Sequence, residues 1–194
     1  MVLCMLTDKV SAATEAPMVE SSLSNIDCSN QVFLQTLMVT LRGEGDRRVR
    51  VLMDPGSQRS YVTRDTVRCM KYTPLVEEDL IQWPFGGETT RPWHHFCYRI
   101  RLRSLDYKYA CNFEVPDEED ICSRVPALPS GPWMTEQRSK GIGVYLEEEK
   151  PIEVPIGADI YGKLLSRQRE ILQCGLVAIE TYHGWIVTGK MRGR

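Results

Sequence analysis

Apolar and polar residues alternate with period 2 over two adjacent stretches of the chain. Tyr98, Ile100 and Leu102 alternate with Arg99, Arg101 and Arg103, and Tyr107, Tyr109, Cys111, Phe113 and Val115 alternate with Lys108, Ala110, Asn112 and Glu114. Period 2 is the signature of half-buried strands. Placing both apolar sets on one face predicts a hairpin with Leu102 opposite Tyr107, Tyr98 opposite Cys111 and a tight turn around Ser104-Leu105. In that register Cys97 points to the basic face and Cys111 to the apolar one.

The rest of the pattern is also mostly β. Val32 to Leu41 is apolar and β-prone, Gly43 to Asp46 reads as a turn, and Val49 to Met53 as a second strand. Thr63 to Met70 reads as a short helix with Thr63 as N-cap. Residues 123–151 carry three prolines before Trp133 and further glycines, and are expected to be irregular. Order returns at Ile152 to Gly157, then a short helical piece from Asp159 to Leu165, then a hairpin of Leu176–Thr181 and Trp185–Thr188.

Residues 1–31 have no aromatic side chain and set Asp8, Glu15, Glu20 and Asp27 against Lys9. So little apolar surface does not offset the entropy of ordering, which predicts a tail or linker. The expected domain is 32–189, with 123–151 as an irregular insertion and 190–194 as a C-terminal tail.

Of the 194 residues, 26 are acidic and 24 are Lys or Arg, giving a net charge of -2. That balance does not suit a dedicated polyanion binder, and no apolar run approaches the roughly 18 residues of a membrane span. The Arg99, Arg101 and Arg103 row reads as a solvated strand face, and no direct nucleic-acid binding is expected. Cysteines number seven with no Cys-x-x-Cys spacing, which argues against a disulfide framework or zinc ribbon. The first eight residues make a poor signal peptide. An intracellular, cytoplasmic setting with free thiols follows as an expectation.

Candidate chemistry centres on Asp54-Pro55-Gly56-Ser57, which directly follows an apolar strand and is followed by Tyr61-Val62. An aspartic peptidase needs this layout: a glycine for a tight turn, a hydroxyl at Ser57 to donate to the carboxylate, and a second aspartate facing the first. Asp-Pro-Gly is also a strong β-turn sequence. His94, His95 and Cys97 invite a metal reading, but adjacent strand residues face opposite sides, and no metal site is expected. Asp159 reads as a helix N-terminal residue, and Gly157 as a point of close backbone approach. Trp83, Trp93 and Trp133 lie in irregular stretches, where packing is the default reading and substrate contact the alternative for Trp83, near the glycine-rich segment.

Several ordered motifs extend beyond the tetrapeptide. Leu34-Gln35-Thr36, the block from Val51 to Val62, Phe85-Gly86-Gly87, Ile156-Gly157-Ala158-Asp159, Glu180-Thr181 and Gly184-Trp185 with Gly189 follow one another over most of the chain. In this order they resemble the retropepsin-like aspartic peptidase domain of Bel/Pao-type LTR retrotransposon polyproteins. The resemblance implies a mainly β fold, a closed antiparallel barrel with one or two short helices. It implies Asp54 as the catalytic carboxylate, Pro55, Gly56 and Ser57 as the active-site loop, and Phe85, Gly86 and Gly87 as the flap. Ile156, Gly157 and Asp159 become a structural psi-like loop. With one Asp-x-Gly-Ser per chain, it implies a homodimer that cleaves a polyprotein without a cofactor. Pro55 stands where the family commonly has Ser or Thr. That departure favours the alternative of an inactive dimerisation or peptide-binding module.

Overall fold

The computed structural model describes residues 32–80, 93–119, 121, 125–145 and 150–191. The expected N-terminal tail, the Phe85-Gly86-Gly87 flap and Trp83 lie outside the described residues, as do residues 192–194 of the expected C-terminal tail.

Eleven strands and three short helices are described. In chain order they are β1 (Val32–Phe33), β2 (Thr36–Arg42), β3 (Asp46–Met53), β4 (Val62–Thr63), α1 (Arg64–Met70), β5 (Val76–Leu80), β6 (Trp93–Arg103), β7 (Ala110–Glu118), α2 (Trp133–Ser139), β8 (Ile152–Ile156), α3 (Ala158–Leu164), β9 (Leu165–Ile171), β10 (Val177–Thr181) and β11 (Gly184–Lys190). The protein is mainly β.

One sheet runs β4-β7-β6-β2-β3-β8, with β5 also paired to β6, and a second runs β1-β11-β10-β9. The expected closed antiparallel barrel is not found. Among the described residues no ladder joins the end strands β4 and β8; Tyr61, just before β4, donates from its N–H to Pro155 O of β8 at 3.0 Å. The sheet is also mixed, because β3 pairs with β8 and β4 with β7 in parallel. Parallel neighbours need a long crossover, which here the chain between Met53 and Ile152 supplies. Lys190, assigned to the tail from sequence, pairs with Val32 and ends β11.

The main core forms where alternating positions meet across the large sheet. Leu41, Val49, Ile100, Leu102, Val115, Val154 and Ile156 are fully or almost fully buried within it. Helix α1 closes over this core as its sequence dictates: Thr63 caps it by accepting from Thr66 N–H at 3.2 Å, and Lys71, at φ 52°, ends it in the left-handed region.

Two expectations need correction. The β6–β7 hairpin pairs Leu102 with Cys111 and Tyr98 with Val115. The turn is longer than expected because Ser104 and Tyr109 exchange bonds, Ser104 N–H to Tyr109 O at 2.9 Å and Tyr109 N–H to Ser104 Oγ at 3.0 Å, while Tyr107 adopts φ 63°. The pairing therefore shifts by an even number of residues, and the side chains within β6 and β7 keep their expected faces, whereas Tyr107, expected on the apolar face, falls in the turn and is exposed.

The second correction is α2, which lies within the segment expected to be irregular. Its anchor is Trp133, 2% exposed, which meets Phe33 edge-on and donates from Nε1 to Pro129 O at 3.1 Å. With Ile142, Leu172, Leu176, Ala178 and Val187 they form a second apolar cluster over the smaller sheet. The approach to α2 is held by the buried Arg50 guanidinium, which donates to Val125 O at 2.6 Å, Pro126 O at 2.7 Å and Lys150 O at 3.1 Å.

Candidate active site

Asp54 stands immediately beyond the C-terminal end of β3 and is half-buried. Its N–H donates to Ile156 O at 2.9 Å, and seven residues later Tyr61 N–H donates to Pro155 O at 3.0 Å. Successive carbonyls of a strand point to opposite sides. The segment from Asp54 to Tyr61 thus leaves on one side of β8 and returns on the other, straddling its end.

Within that loop, Ser57 N–H donates to Asp54 O at 3.2 Å, closing the turn that Asp-Pro-Gly favours. Gly56 N–H donates to Asp54 Oδ1 at 3.1 Å. The expected bond from Ser57 to the carboxylate is not made: Ser57 Oγ donates to Arg59 O at 2.9 Å instead. The turn brings the Gly56 amide, rather than the hydroxyl, onto Asp54. Pro55 is exposed at the tip, as is Gly56.

Gly157 is where the loop meets the start of α3. A Cβ there would lie 2.4 Å from Arg59 O and 2.5 Å from Arg59 C, so only glycine fits without moving the loop. Its N–H donates to Ser60 Oγ at 2.9 Å. Asp159 lies in the first turn of α3, as its helix-opening reading expects, but both its oxygens turn to the loop. Oδ1 accepts from Ser60 Oγ at 2.7 Å and Oδ2 from Ser60 N–H at 3.2 Å. Ser57 O closes the joint by accepting from Ala158 N–H at 2.8 Å.

Two more elements brace the loop. Met53 N–H donates to Gln35 O at 2.8 Å, and Tyr161 of α3 donates to Gln35 Oε1 at 3.0 Å. Arg59 makes a two-pronged pair with Glu78 of β5, at 2.9 and 3.3 Å, and the Cys97 thiol donates to the same carboxylate. The Arg59 and Cys97 bonds hold the Glu78 carboxyl below its usual range, whereas burial and then Glu78 push the Cys97 thiol up to about 12. Glu78 belongs to no motif in the sequence; Gln35, Arg59 and Ser60 lie within the blocks singled out there, but only their partners across the fold show what they do at the site.

Asp54, Pro55, Gly56, Ser57, Ile156, Gly157 and Asp159 therefore converge, while Phe85, Gly86 and Gly87 lie outside the described residues. His94 is exposed and bonds Asp79 and Glu77; His95 is fully buried and bonds Asp117 O. They diverge as strand neighbours do, and among the described residues no three His, Cys, Asp or Glu side chains converge as metal ligands would. Compared with known proteins, the chain matches no family model, no curated sequence and no solved structure.

Proposed function

We propose that the chain is one half of an aspartic endopeptidase, active as a homodimer, of the retropepsin-like kind found in Bel/Pao-type retrotransposon polyproteins. The observation that carries this reading is the loop from Asp54 to Tyr61 straddling β8, with its half-buried carboxylate held by the Gly56 amide. A turn that only reversed the chain would not need Gly157, Ser60 and Asp159 fastened beneath it.

A single carboxylate cannot be both base and acid. Two copies of Asp54 related by a two-fold axis would share one proton, because like charges in contact cannot both ionise. The pair would titrate as a unit. Its ionised member would take a proton from water attacking the scissile carbonyl, and its protonated member would donate to that carbonyl oxygen. The substrate is an extended peptide, most simply the polyprotein carrying this domain, in an intracellular setting.

Pro55 favours a second reading. Proline offers neither a hydroxyl nor an N–H for a bond between two loops, and here it is exposed at the tip. A peptide-binding or dimerisation module without activity is the alternative.

The test is cleavage of a peptide library between about pH 4 and 7, a range that brackets carboxyl dyads, with sedimentation to establish the dimer. The expected result is cleavage by the native chain and none by Asp54→Asn. Cleavage by both, or none by a confirmed dimer, rejects the peptidase reading, and the latter result selects the module.

A further inference from the structure

The large sheet gathers arginines from three strands onto one solvent face. On β6 the row Arg99, Arg101, Arg103 lies opposite the core positions. The β2–β6 register sets Arg42 directly opposite Arg101, and Thr40 opposite Arg103. The β2–β3 register then sets Arg48 opposite Thr40, so Arg48 and Arg103 flank it on either side. Five arginines share the face. Arg42 is paired with Asp46 at 3.2 Å and Arg99 with Glu114 at 2.6 Å, and Arg48 also has a partner. Among the described residues Arg101 forms no ion pair.

Like charges directly opposite on adjacent strands destabilise a sheet. Asp46 offsets Arg42, whereas Arg101, directly opposite Arg42, has no carboxylate of its own among the described residues. An anion beside Arg101 would supply the missing opposite charge. An aromatic ring borders the patch: Tyr107, 62% exposed, has the Arg103 guanidinium 5.2 Å from its ring centre.

We propose that this face binds single-stranded nucleic acid, independently of Asp54. Alternate residues of a strand lie roughly 6.7 Å apart and neighbouring strands about 4.8 Å. The β6 row therefore sets guanidinium groups in line at a pitch suited to a chain bearing one phosphate per nucleotide, and among the described residues Arg101 and Arg103 form no ion pair while Arg99 is held by Glu114. Guanidinium forks take phosphate oxygens in pairs. The Tyr107 ring offers a base a stacking surface, which an acidic peptide would not use. The face is the flat of a sheet, not an edge, so it has no free backbone groups to pair with a peptide strand. The near-neutral net charge predicted no such binding because it averages over all faces. The fold instead turns Asp117 inward, 3% exposed and paired with Arg64, and leaves the arginines together.

The experiment is fluorescence anisotropy of a labelled twelve-nucleotide oligouridine with the full chain from 50 to 200 mM salt. Two neutralised phosphates, at Arg101 and Arg103, predict that log K falls with log salt at a slope of about −1.4, single strands contributing roughly 0.7 per contact. The double variant Arg101→Gln/Arg103→Gln should weaken binding about tenfold or more and flatten the slope by about 1.4. Tyr107→Ala should weaken binding about fivefold or more. A twelve-residue oligoglutamate should bind at least about tenfold more weakly than the oligonucleotide. Thermal melts check folding, and Arg101→Glu alone stands in if the double variant does not fold. No salt-dependent binding at 50 mM, binding unchanged by these variants, or equal binding of oligoglutamate overturns the proposal, the last assigning the face to an acidic protein segment. Cleavage activity enters none of these readouts, so the peptidase reading can fail without affecting this one.

Discussion

Ser60 Oγ donates to Asp159 Oδ1 at 2.7 Å, joining the candidate catalytic loop to helix α3 across 99 residues of chain. The same oxygen accepts from Gly157 N–H at 2.9 Å, and Ser60 is fully buried. Ser60→Ala therefore leaves a buried amide and one carboxylate oxygen short of partners. The expected loss is about 1–3 kcal/mol, read as a lower urea midpoint with an unchanged slope. A loss below about 0.3 kcal/mol would mean water or backbone movement replaces the bonds.

Gly157→Ala should be at least as damaging. The new methyl meets the Arg59 backbone, not the tip of a flexible side chain, so no rotamer change relieves it. Overpacking of this kind costs about 1–3 kcal/mol, and the strain falls on the loop that carries Asp54. Loss of both stability and peptide cleavage is expected. A variant as stable as the native chain would show that the loop yields freely.

His183 makes the fold sensitive to acid. It is 3% exposed, lies edge-on against Tyr109 and has Nε2 3.6 Å from the Cys111 sulfur. Burial pulls its pKa from the ordinary 6.5 down to about 4. Between those values the unfolded chain binds a proton that the folded chain refuses, so stability falls as pH drops through this window. The full effect is on the order of 3 kcal/mol. Urea unfolding at pH 7 and pH 4.5 should show the decline, and His183→Phe should remove most of it. An unchanged pH dependence in that variant would assign the decline to other groups. The comparison also separates an acid limb of cleavage caused by unfolding from one caused by the Asp54 pair.

The thiols should divide by environment. Cys69 is exposed, while burial raises Cys111 to about 11 and burial with Glu78 raises Cys97 to about 12. The thiolate is the reactive form. Peptide mass spectrometry after iodoacetamide treatment at pH 8 should find Cys69 labelled more than about tenfold faster than either. Equal labelling of Cys97 would show that β5 and its Glu78 do not cover that thiol in solution.

Trp133 should be a principal support of the second cluster. Trp133→Ala removes a side chain 2% exposed, its contact with Phe33 and its bond to Pro129 O. A loss of about 3–5 kcal/mol is expected by thermal or urea unfolding. A loss under about 1 kcal/mol would mean that α2 is not docked.

Local pattern by itself determined much of this protein. Alternation identified the β6 and β7 faces, Thr63 announced the start of α1, and Asp54 through Ser57 was recognisable as a turn bearing a carboxylate. These features depend on neighbours within a few residues, where side-chain direction and backbone bonding are set by the chain itself. Tertiary structure alone decided the rest. The order within 123–151 turned on Trp133 finding Phe33 a hundred residues upstream. The open, mixed sheet followed from β8 adding parallel to β3. Glu78 and Asp159 reached the loop that carries Arg59 and Ser60, and Arg42 came to face Arg101, only through pairings between distant segments. Such pairings answer to the burial and hydrogen-bond needs of the whole chain, which no short window of residues contains.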